Sequence, residues 1–86
     1  MSYSEIEYDS EKKNILKRST YNSDSILIKY EVWYKNRNKN IDCSFKNGKE
    51  DGISYVWFAD GKLQQKFLFK DGKLEKVLYN FFEIKK

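Results

Sequence analysis

Histidine is absent from this chain of 86 residues, and cysteine occurs only once, at Cys43. Without histidine no Cys–His nucleophile pair can form, and zinc ligation is nearly excluded. A single cysteine rules out a scaffold of disulfides within the chain and favours a reducing, cytoplasmic location. We interpret Cys43 as a small, buried strand residue. The composition therefore predicts no metal ion and no other cofactor.

Long apolar runs and catalytic motifs are missing as well. No apolar run approaches the roughly 18 residues that a membrane-spanning helix requires, so we expect no membrane span. The first five residues lack the basic start and apolar stretch of a secretion signal. The sequence has no glycine-rich phosphate loop and no nucleophile elbow, and Asp60 and Asp71 occupy turn positions. We therefore expect a protein that is not an enzyme.

The net charge of +4 is unevenly distributed along the chain. Residues 1–11 contain four acidic residues and no basic ones, which defines an acidic N-terminal arm over residues 1–13. The other 75 residues contain all 17 Lys and Arg but only 9 of the 13 Asp and Glu. We interpret most of this charge as ordinary surface charge, although such an arm can also fold back over a basic body. The abundance of Lys, Asn, Ile and Tyr suits an AT-rich genome and indicates a bacterial source.

A period of 24 residues organises the rest of the chain. The pentapeptide Phe-Lys-Asn-Gly-Lys at residues 45–49 recurs as Phe-Lys-Asp-Gly-Lys at residues 69–73. The aromatic stretch at residues 53–58 recurs in the same way at residues 77–82. A fixed period of this length is typical of repeat proteins. We assign the repeat region to residues 21–82.

The sequence contains three dipeptides that favour tight hairpin turns: Asn47-Gly48, Asp60-Gly61 and Asp71-Gly72. Asn-Gly and Asp-Gly tolerate positive φ at both central positions, as a two-residue type I′ turn requires. Alternating apolar and polar residues flank each dipeptide, with the period of a half-buried strand. The predicted strands are residues 4–8, 14–21, 26–34, 41–46, 53–58, 63–69 and 74–82. We therefore predict one all-β domain over residues 1–86: an antiparallel β-meander of about seven strands, built from β-hairpin repeats in a single-layer or curled sheet.

The turns also predict which side chains share a face of the sheet. A two-residue turn at Asp71-Gly72 sets Phe69 opposite Leu74 and Phe67 opposite Lys76. One face then collects mainly apolar residues: Tyr30, Val32, Tyr34, Ile41, Cys43, Phe45, Val56, Phe58, Leu63, Phe67, Phe69, Leu74, Leu78 and Phe82. The other face mixes aromatic with charged residues: Lys29, Glu31, Trp33, Tyr55, Trp57, Gln64, Lys66, Val77, Tyr79 and Phe81.

A single sheet leaves the first of these faces uncovered, because no segment of the sequence has the pattern of a helix. Three arrangements can cover it. The sheet can curl into a half-barrel, pair with a second copy of the chain, or hold a different partner. An open edge strand adds another route to association. On these grounds we expect a homodimer.

The repeat unit resembles the MORN-variant repeat. The resemblance rests on Phe-Lys-Asn-Gly-Lys at 45–49, Tyr-Val-Trp-Phe at 55–58, Asp-Gly-Lys-Leu at 60–63 and Phe-Lys-Asp-Gly-Lys-Leu at 69–74. It is good over residues 45–82 and weaker upstream, where Arg37 takes the position that matches Gly61. The resemblance implies a single layer of β-hairpins that acts by contact. In bacteria such repeats occur in proteins labelled as antitoxins or as immunity partners of toxins.

We therefore predict a non-enzymatic protein-binding module, and the resemblance implies an antitoxin or immunity protein that masks its partner. The predicted partner-binding residues lie on the mixed face: Trp33, Tyr55, Trp57, Lys66, Tyr79 and Phe81. Trp and Tyr are enriched among the residues that dominate protein interfaces. The alternative is a single-stranded nucleic-acid-binding protein that stacks bases on the same face. An anionic membrane surface is less favoured, because we expect the lysines of residues 62–76 to spread over turns and both faces.

Overall fold

The structure is a computed structural model that describes residues 2–84, and it is an open β-sheet with one short helix. The elements are β1 (Tyr3–Tyr8), β2 (Ile15–Tyr21), β3 (Leu27–Trp33), β4 (Lys39–Lys46), β5 (Lys49–Glu50), β6 (Gly52–Trp57), β7 (Leu63–Lys70), β8 (Lys73–Asn80) and α1 (Phe81–Ile84). Seven strands follow one another in the order β1-β2-β3-β4-β6-β7-β8, each antiparallel to its neighbours, while β5 pairs only with β4. The predicted all-β antiparallel meander is confirmed. The acidic arm supplies β1, which forms one edge of the sheet.

The sheet is a single, uncurled layer. Its principal extents are 42 × 34 × 14 Å, and the smallest of these is close to the thickness of one sheet with its side chains. Among residues 2–83 no hydrophobic side chain is buried, whereas Glu31 and Ser54 are both 4% exposed. The half-barrel arrangement does not occur. The sheet therefore has two solvent-facing sides and no hydrophobic core between layers.

The Asn47-Gly48 and Asp71-Gly72 turns have the predicted conformation. Their φ angles are 53° and 78° in the first turn and 51° and 82° in the second, as a type I′ turn requires. At Asp60-Gly61 the predicted two-residue turn is wrong. Phe58 and Lys62 instead enclose a three-residue loop, closed by hydrogen bonds from Phe58 N to Lys62 O and from Gly61 N to Phe58 O. A type I turn followed by one left-handed residue explains why Gly61 alone has a positive φ there.

The polypeptide leaves the sheet earlier than predicted, at Asn80. The predicted strand over residues 74–82 is wrong for its last two residues, because Phe81 begins α1. Asn80 Oδ1 accepts a hydrogen bond from Phe82 N at 3.2 Å, as the capping residue of a helix does. No helix within residues 2–84 is long enough to cross a membrane.

The strand register gives the sheet two chemically different faces. The basic face is defined by residues that lie opposite one another in successive strands: Arg18, Glu31, Asp42, Tyr55, Lys66 and Tyr79. The apolar face is defined by three further rows: Tyr30 with Cys43, Val32 with Ile41 and Val56, and Phe67 with Val77. Alternation along each strand extends both sets.

Irregularities in β8 change the predicted pairing of the last hairpin. Phe69 lies opposite Leu74 as predicted, but Phe67 lies opposite Val77 and not opposite Lys76. The register shifts twice along this pair of strands, so one residue of β8 has no partner at each shift. As a result Val77 joins the apolar face, and Lys76, opposite Leu68, joins the basic face.

Candidate interaction surface

A buried carboxylate lies at the centre of the basic face. Glu31 Oε1 accepts a hydrogen bond from Arg18 Nε at 2.9 Å, and its Oε2 accepts one from Lys39 Nζ at 2.8 Å. Lys39 Nζ also donates to Asp42 Oδ2 at 2.6 Å, and Lys29 Nζ lies 3.6 Å from Asp42 Oδ1. Three cations and two carboxylates from β2, β3 and β4 thus form one network, which joins neighbouring strands through their side chains.

The network sets the protonation state of Glu31. Burial by itself would raise the pKa of this carboxyl group, because it disfavours the charged form. The hydrogen bonds from Arg18 and Lys39 outweigh that effect and lower the pKa of Glu31 from its ordinary 4.5 to about 2. Lys39 shows the complementary shift: burial opposes its charge, yet the hydrogen bonds to Asp42 and Glu31 raise its pKa. Glu31 and Lys39 are therefore both charged at neutral pH.

The indole ring of Trp33 packs against this network. Arg18 Cζ and Lys39 Nζ each lie 5.4 Å from the centroid of the Trp33 ring. Contacts of this kind between a cation and a ring stabilise both groups. Because the same two cations bind Glu31, the orientation of Trp33 is coupled to the buried carboxylate.

A second aromatic group occupies the same face on β6, β7 and β8. The rings of Tyr55 and Trp57 stack with their centroids 5.3 Å apart and an angle of 7° between their planes. Lys66 Nζ lies 5.5 Å from the centroid of the Tyr55 ring, and Tyr79 lies opposite Lys66 in β8. Five of the six predicted partner-binding residues therefore share one face.

Phe81 is the predicted partner-binding residue that lies elsewhere. Its ring makes an edge contact with Phe58, with the centroids 5.0 Å apart, and another with Phe82. Phe58 follows Trp57, so alternation along the chain directs it towards the apolar face. The reason for the difference is the early end of β8, because a residue of α1 does not continue the alternation of the strand.

The described part of the basic face carries far more cations than carboxylates. Register and alternation place nine basic residues there: Arg18, Lys29, Lys39, Lys46, Lys49, Lys66, Lys70, Lys73 and Lys76. Glu31 and Asp42 are the carboxylates that the strand pairing places on the same face, and both belong to the network. Glu75 of β8 is the unpaired residue at a register shift next to Lys76. Within residues 2–84, the other six basic residues have no carboxylate within 4.0 Å. We expected the lysines of residues 62–76 to spread over both faces of the sheet. This expectation is wrong for the four that lie in strands, which share the basic face: Lys66, Lys70, Lys73 and Lys76.

The two type I′ hairpins place four of these lysines at one end of the sheet. Lys46 pairs with Lys49, and Lys70 pairs with Lys73, at equivalent positions of the 24-residue repeat. The two turns are neighbours, since Gly72 N donates a hydrogen bond to Glu50 O at 2.8 Å. The repeat therefore duplicates a pair of lysines and places both pairs side by side.

Arg18, Lys39 and Asp42 are residues of this surface that the sequence did not identify. Asp42 could have been found from the predicted strands, because it lies opposite Glu31. Lys39 could not, since a register shift between Val32 and Trp33 brings it onto this face. Among residues 2–84 no group of three or more His, Cys, Asp or Glu side chains is placed to hold a metal ion.

Comparisons of the chain with protein-family models, with curated proteins and with solved structures found no match.

Proposed function

We propose that this chain is a non-enzymatic protein-binding module that docks its partner on the basic face. The observation that carries the proposal is the placement of Trp33, Tyr55, Trp57 and Tyr79 on one side of a flat sheet. Large aromatic side chains on a rigid support are suited to bury area at little cost in conformational entropy. Ring stacking and cation contacts already restrain three of these four side chains before a partner arrives.

The charge of the basic face supports an acidic surface as the partner. Nine basic residues against two engaged carboxylates create a positive potential, which attracts an acidic protein surface and steers its approach. The resemblance to MORN-variant repeats adds the proposal that the module is a bacterial, cytoplasmic antitoxin or immunity protein. Such a protein acts by covering its partner, and this requires no catalytic group.

Single-stranded nucleic acid is the second candidate, and the excess of lysine on the basic face favours it. Base stacking needs an aromatic ring with an open face. Here the Tyr55 ring is covered by Trp57 and Lys66, and the Trp33 ring is approached by Arg18 and Lys39. We favour a protein partner because the Tyr55 and Trp33 rings are already engaged by these contacts.

Direct binding of an oligonucleotide distinguishes the two candidates. Binding of a fluorescent single-stranded oligonucleotide is measured by anisotropy as the salt concentration is raised. Nucleic-acid affinity falls steeply with salt because binding releases counterions. Micromolar binding that disappears at moderate salt would replace the protein-binding proposal with the nucleic-acid one. Absence of binding at low salt leaves the protein partner as the proposal.

A variant on the basic face tests the protein interface itself. Immobilised wild-type chain and the Trp57→Ala variant are used to capture proteins from a cell lysate, and the retained proteins are quantified by mass spectrometry. We expect a protein that wild type retains and Trp57→Ala loses, while Tyr8→Ala, an exposed aromatic residue outside the two aromatic groups, still retains it. Circular dichroism checks that the variants remain folded. Equal retention by wild type and Trp57→Ala contradicts the proposal.

A further inference from the structure

We infer that the apolar face is covered by a second copy of this chain, so that two sheets pack face to face with their basic faces outward. The register supplies the composition of the surface that each copy contributes. From β3 to β8 its strand residues are Tyr30, Val32, Ile41, Cys43, Phe45, Ser54, Val56, Gln65, Phe67, Phe69, Leu74, Val77 and Asn80, with Glu50 as the charged member. On the same face β1 and β2 add the charged residues Glu5, Glu7 and Lys17, so the apolar surface is confined to β3–β8. That part of the face can lie against itself with Glu50 as the charged strand residue that each copy contributes.

The basic face cannot serve as this interface. Facing sheets lie about 10 Å apart, so two copies of the basic face would bring their unpaired lysines within that distance. Lys46, Lys49, Lys70 and Lys73 have no carboxylate partner in the described chain to offset the repulsion. Repulsion between copies therefore excludes one face and directs self-association to the other.

The area available is sufficient for a stable dimer. The whole sheet of 42 × 34 Å projects to roughly 1,400 Å², and the five strands of its apolar part to about five-sevenths of that, roughly 1,000 Å². A standard protein interface needs about 800 Å² from each partner. Because both copies use the same surface, a twofold axis relates them and neither apolar face remains exposed in the dimer. Two sheets packed in this way form a sandwich whose interior is the core that one copy lacks.

Pairing through the sheet edges is the competing arrangement. β1 carries Glu5 and Glu7, whereas β8 carries Lys73 and Lys76 with Glu75 between them, so a weak electrostatic attraction acts between the two edges. A contact between β8 of one copy and β1 of the next is head-to-tail, and it leaves every apolar face uncovered. We favour the face-to-face pair because it alone buries the apolar face.

Cys43 reports directly on the proposed interface, since it lies opposite Tyr30 on the apolar face and is the one cysteine of the chain. Analytical ultracentrifugation gives the mass of the wild-type protein over a range of concentrations, and the rate of alkylation of Cys43 by iodoacetamide is measured over the same range. We expect twice the 10.4 kDa mass of one chain and slow alkylation at high concentration. On dilution the mass should fall to that of one chain and the alkylation rate should rise with it.

Two outcomes of this measurement overturn the inference. One is the mass of a single chain at every concentration. The other is a dimer or larger species in which Cys43 is alkylated as fast as in the dilute protein, since that result identifies pairing through edges or through the basic face.

A pair of neighbouring substitutions locates the interface independently. Val56→Lys places a charge in the middle of the apolar face, and Tyr55→Lys places the same charge on the basic face one residue away. We expect Val56→Lys to abolish the dimer and Tyr55→Lys to retain it. A Val56→Lys variant that stays dimeric overturns the inference. If Val56→Lys proves unfolded by circular dichroism, the alkylation rates of the wild-type protein decide the question.

Discussion

Arg37 adopts the backbone conformation that Gly61 adopts 24 residues later. Their φ angles are 76° and 93°, and each residue ends a three-residue loop closed by the same two backbone hydrogen bonds. The two loops are neighbours in space: Asn36 Nδ2 and Asn38 Nδ2 donate to Ala59 O at 2.7 and 2.8 Å. The sequence repeat is therefore a repeat of backbone geometry, and Arg37 holds a conformation that favours glycine.

Replacing Arg37 should stabilise the fold. For a residue other than glycine, the left-handed conformation costs about 1–2 kcal/mol. Glycine removes this strain but makes the unfolded chain more flexible, which offsets part of the gain. Arg37→Gly should therefore raise the free energy of unfolding by up to about 1 kcal/mol. Urea denaturation at a fixed chain concentration measures the change. Lys35→Gly is the control, because Lys35 lies in the same loop without a positive φ. Equal effects of the two substitutions contradict the assignment of strain to Arg37.

The hydroxyl group of Tyr34 links two repeats. It donates a hydrogen bond to Trp57 O at 2.7 Å, between segments that are 23 residues apart in the sequence. Tyr34→Phe should lower the free energy of unfolding by about 1 kcal/mol, since it leaves a half-buried carbonyl group without this donor. Tyr8→Phe serves as the control at an exposed edge residue, and it should leave stability unchanged. A Tyr34→Phe variant as stable as the control shows that the hydrogen bond contributes nothing.

Glu31 should make the stability of the protein sensitive to acid. Its pKa is lowered in the folded state, so its contribution is complete above the ordinary value of 4.5 and is lost as the pH falls towards 2. A shift of this size corresponds to roughly 3 kcal/mol at neutral pH. Glu31→Gln should lower the free energy of unfolding at pH 7 and reduce its decline between pH 5 and pH 2.5.

The matched control for this measurement is Glu11→Gln. Glu11 lies 3.6 Å from Lys13, but the side chains are 70% and 72% exposed, so solvent screens the pair. We expect Glu11→Gln to follow the wild-type pH profile. A Glu31→Gln variant that keeps the acid dependence of the wild type shows that the buried network does not control stability.

Charge reversal on the basic face should weaken the interaction with the captured partner. Lys66 belongs to the second aromatic group, and Lys66→Glu should slow association because it opposes the approach of an acidic surface. Lys35→Glu, a matched change in an exposed loop, should have a smaller effect. Surface plasmon resonance at two salt concentrations gives the association rates. Identical rates for the two variants would show that the basic face does not guide binding.

The sequence predicts the hairpins of this fold well because their signals are local. Asn47-Gly48 and Asp71-Gly72 form the expected type I′ turns, and strand alternation correctly groups Tyr55, Lys66 and Tyr79 on one face. These features depend on a few adjacent residues, whose turn chemistry and period of two are visible in the sequence.

The misplaced strand residues follow from irregularities that involve two strands at once. Lys39 joins the buried network through a register shift between β3 and β4, and Lys76 joins the basic face through the shifts in β8. One extra residue in a strand moves each side chain that follows it to the opposite face of the sheet. The composition of the strand does not reveal this shift. Phe81 leaves the face because Asn80 caps a helix there, which the aromatic pattern of residues 77–82 conceals.

The central claim is that the apolar face is covered and the basic face remains open. Tyr30 and Tyr55 allow the most direct measurement, because they are the same residue type on opposite faces. Hydroxyl-radical footprinting followed by mass spectrometry gives the oxidation rate of each ring. At high protein concentration we predict protection of Tyr30 that is lost on dilution, and oxidation of Tyr55 at both concentrations. Equal oxidation of the two tyrosines at every concentration would contradict the account.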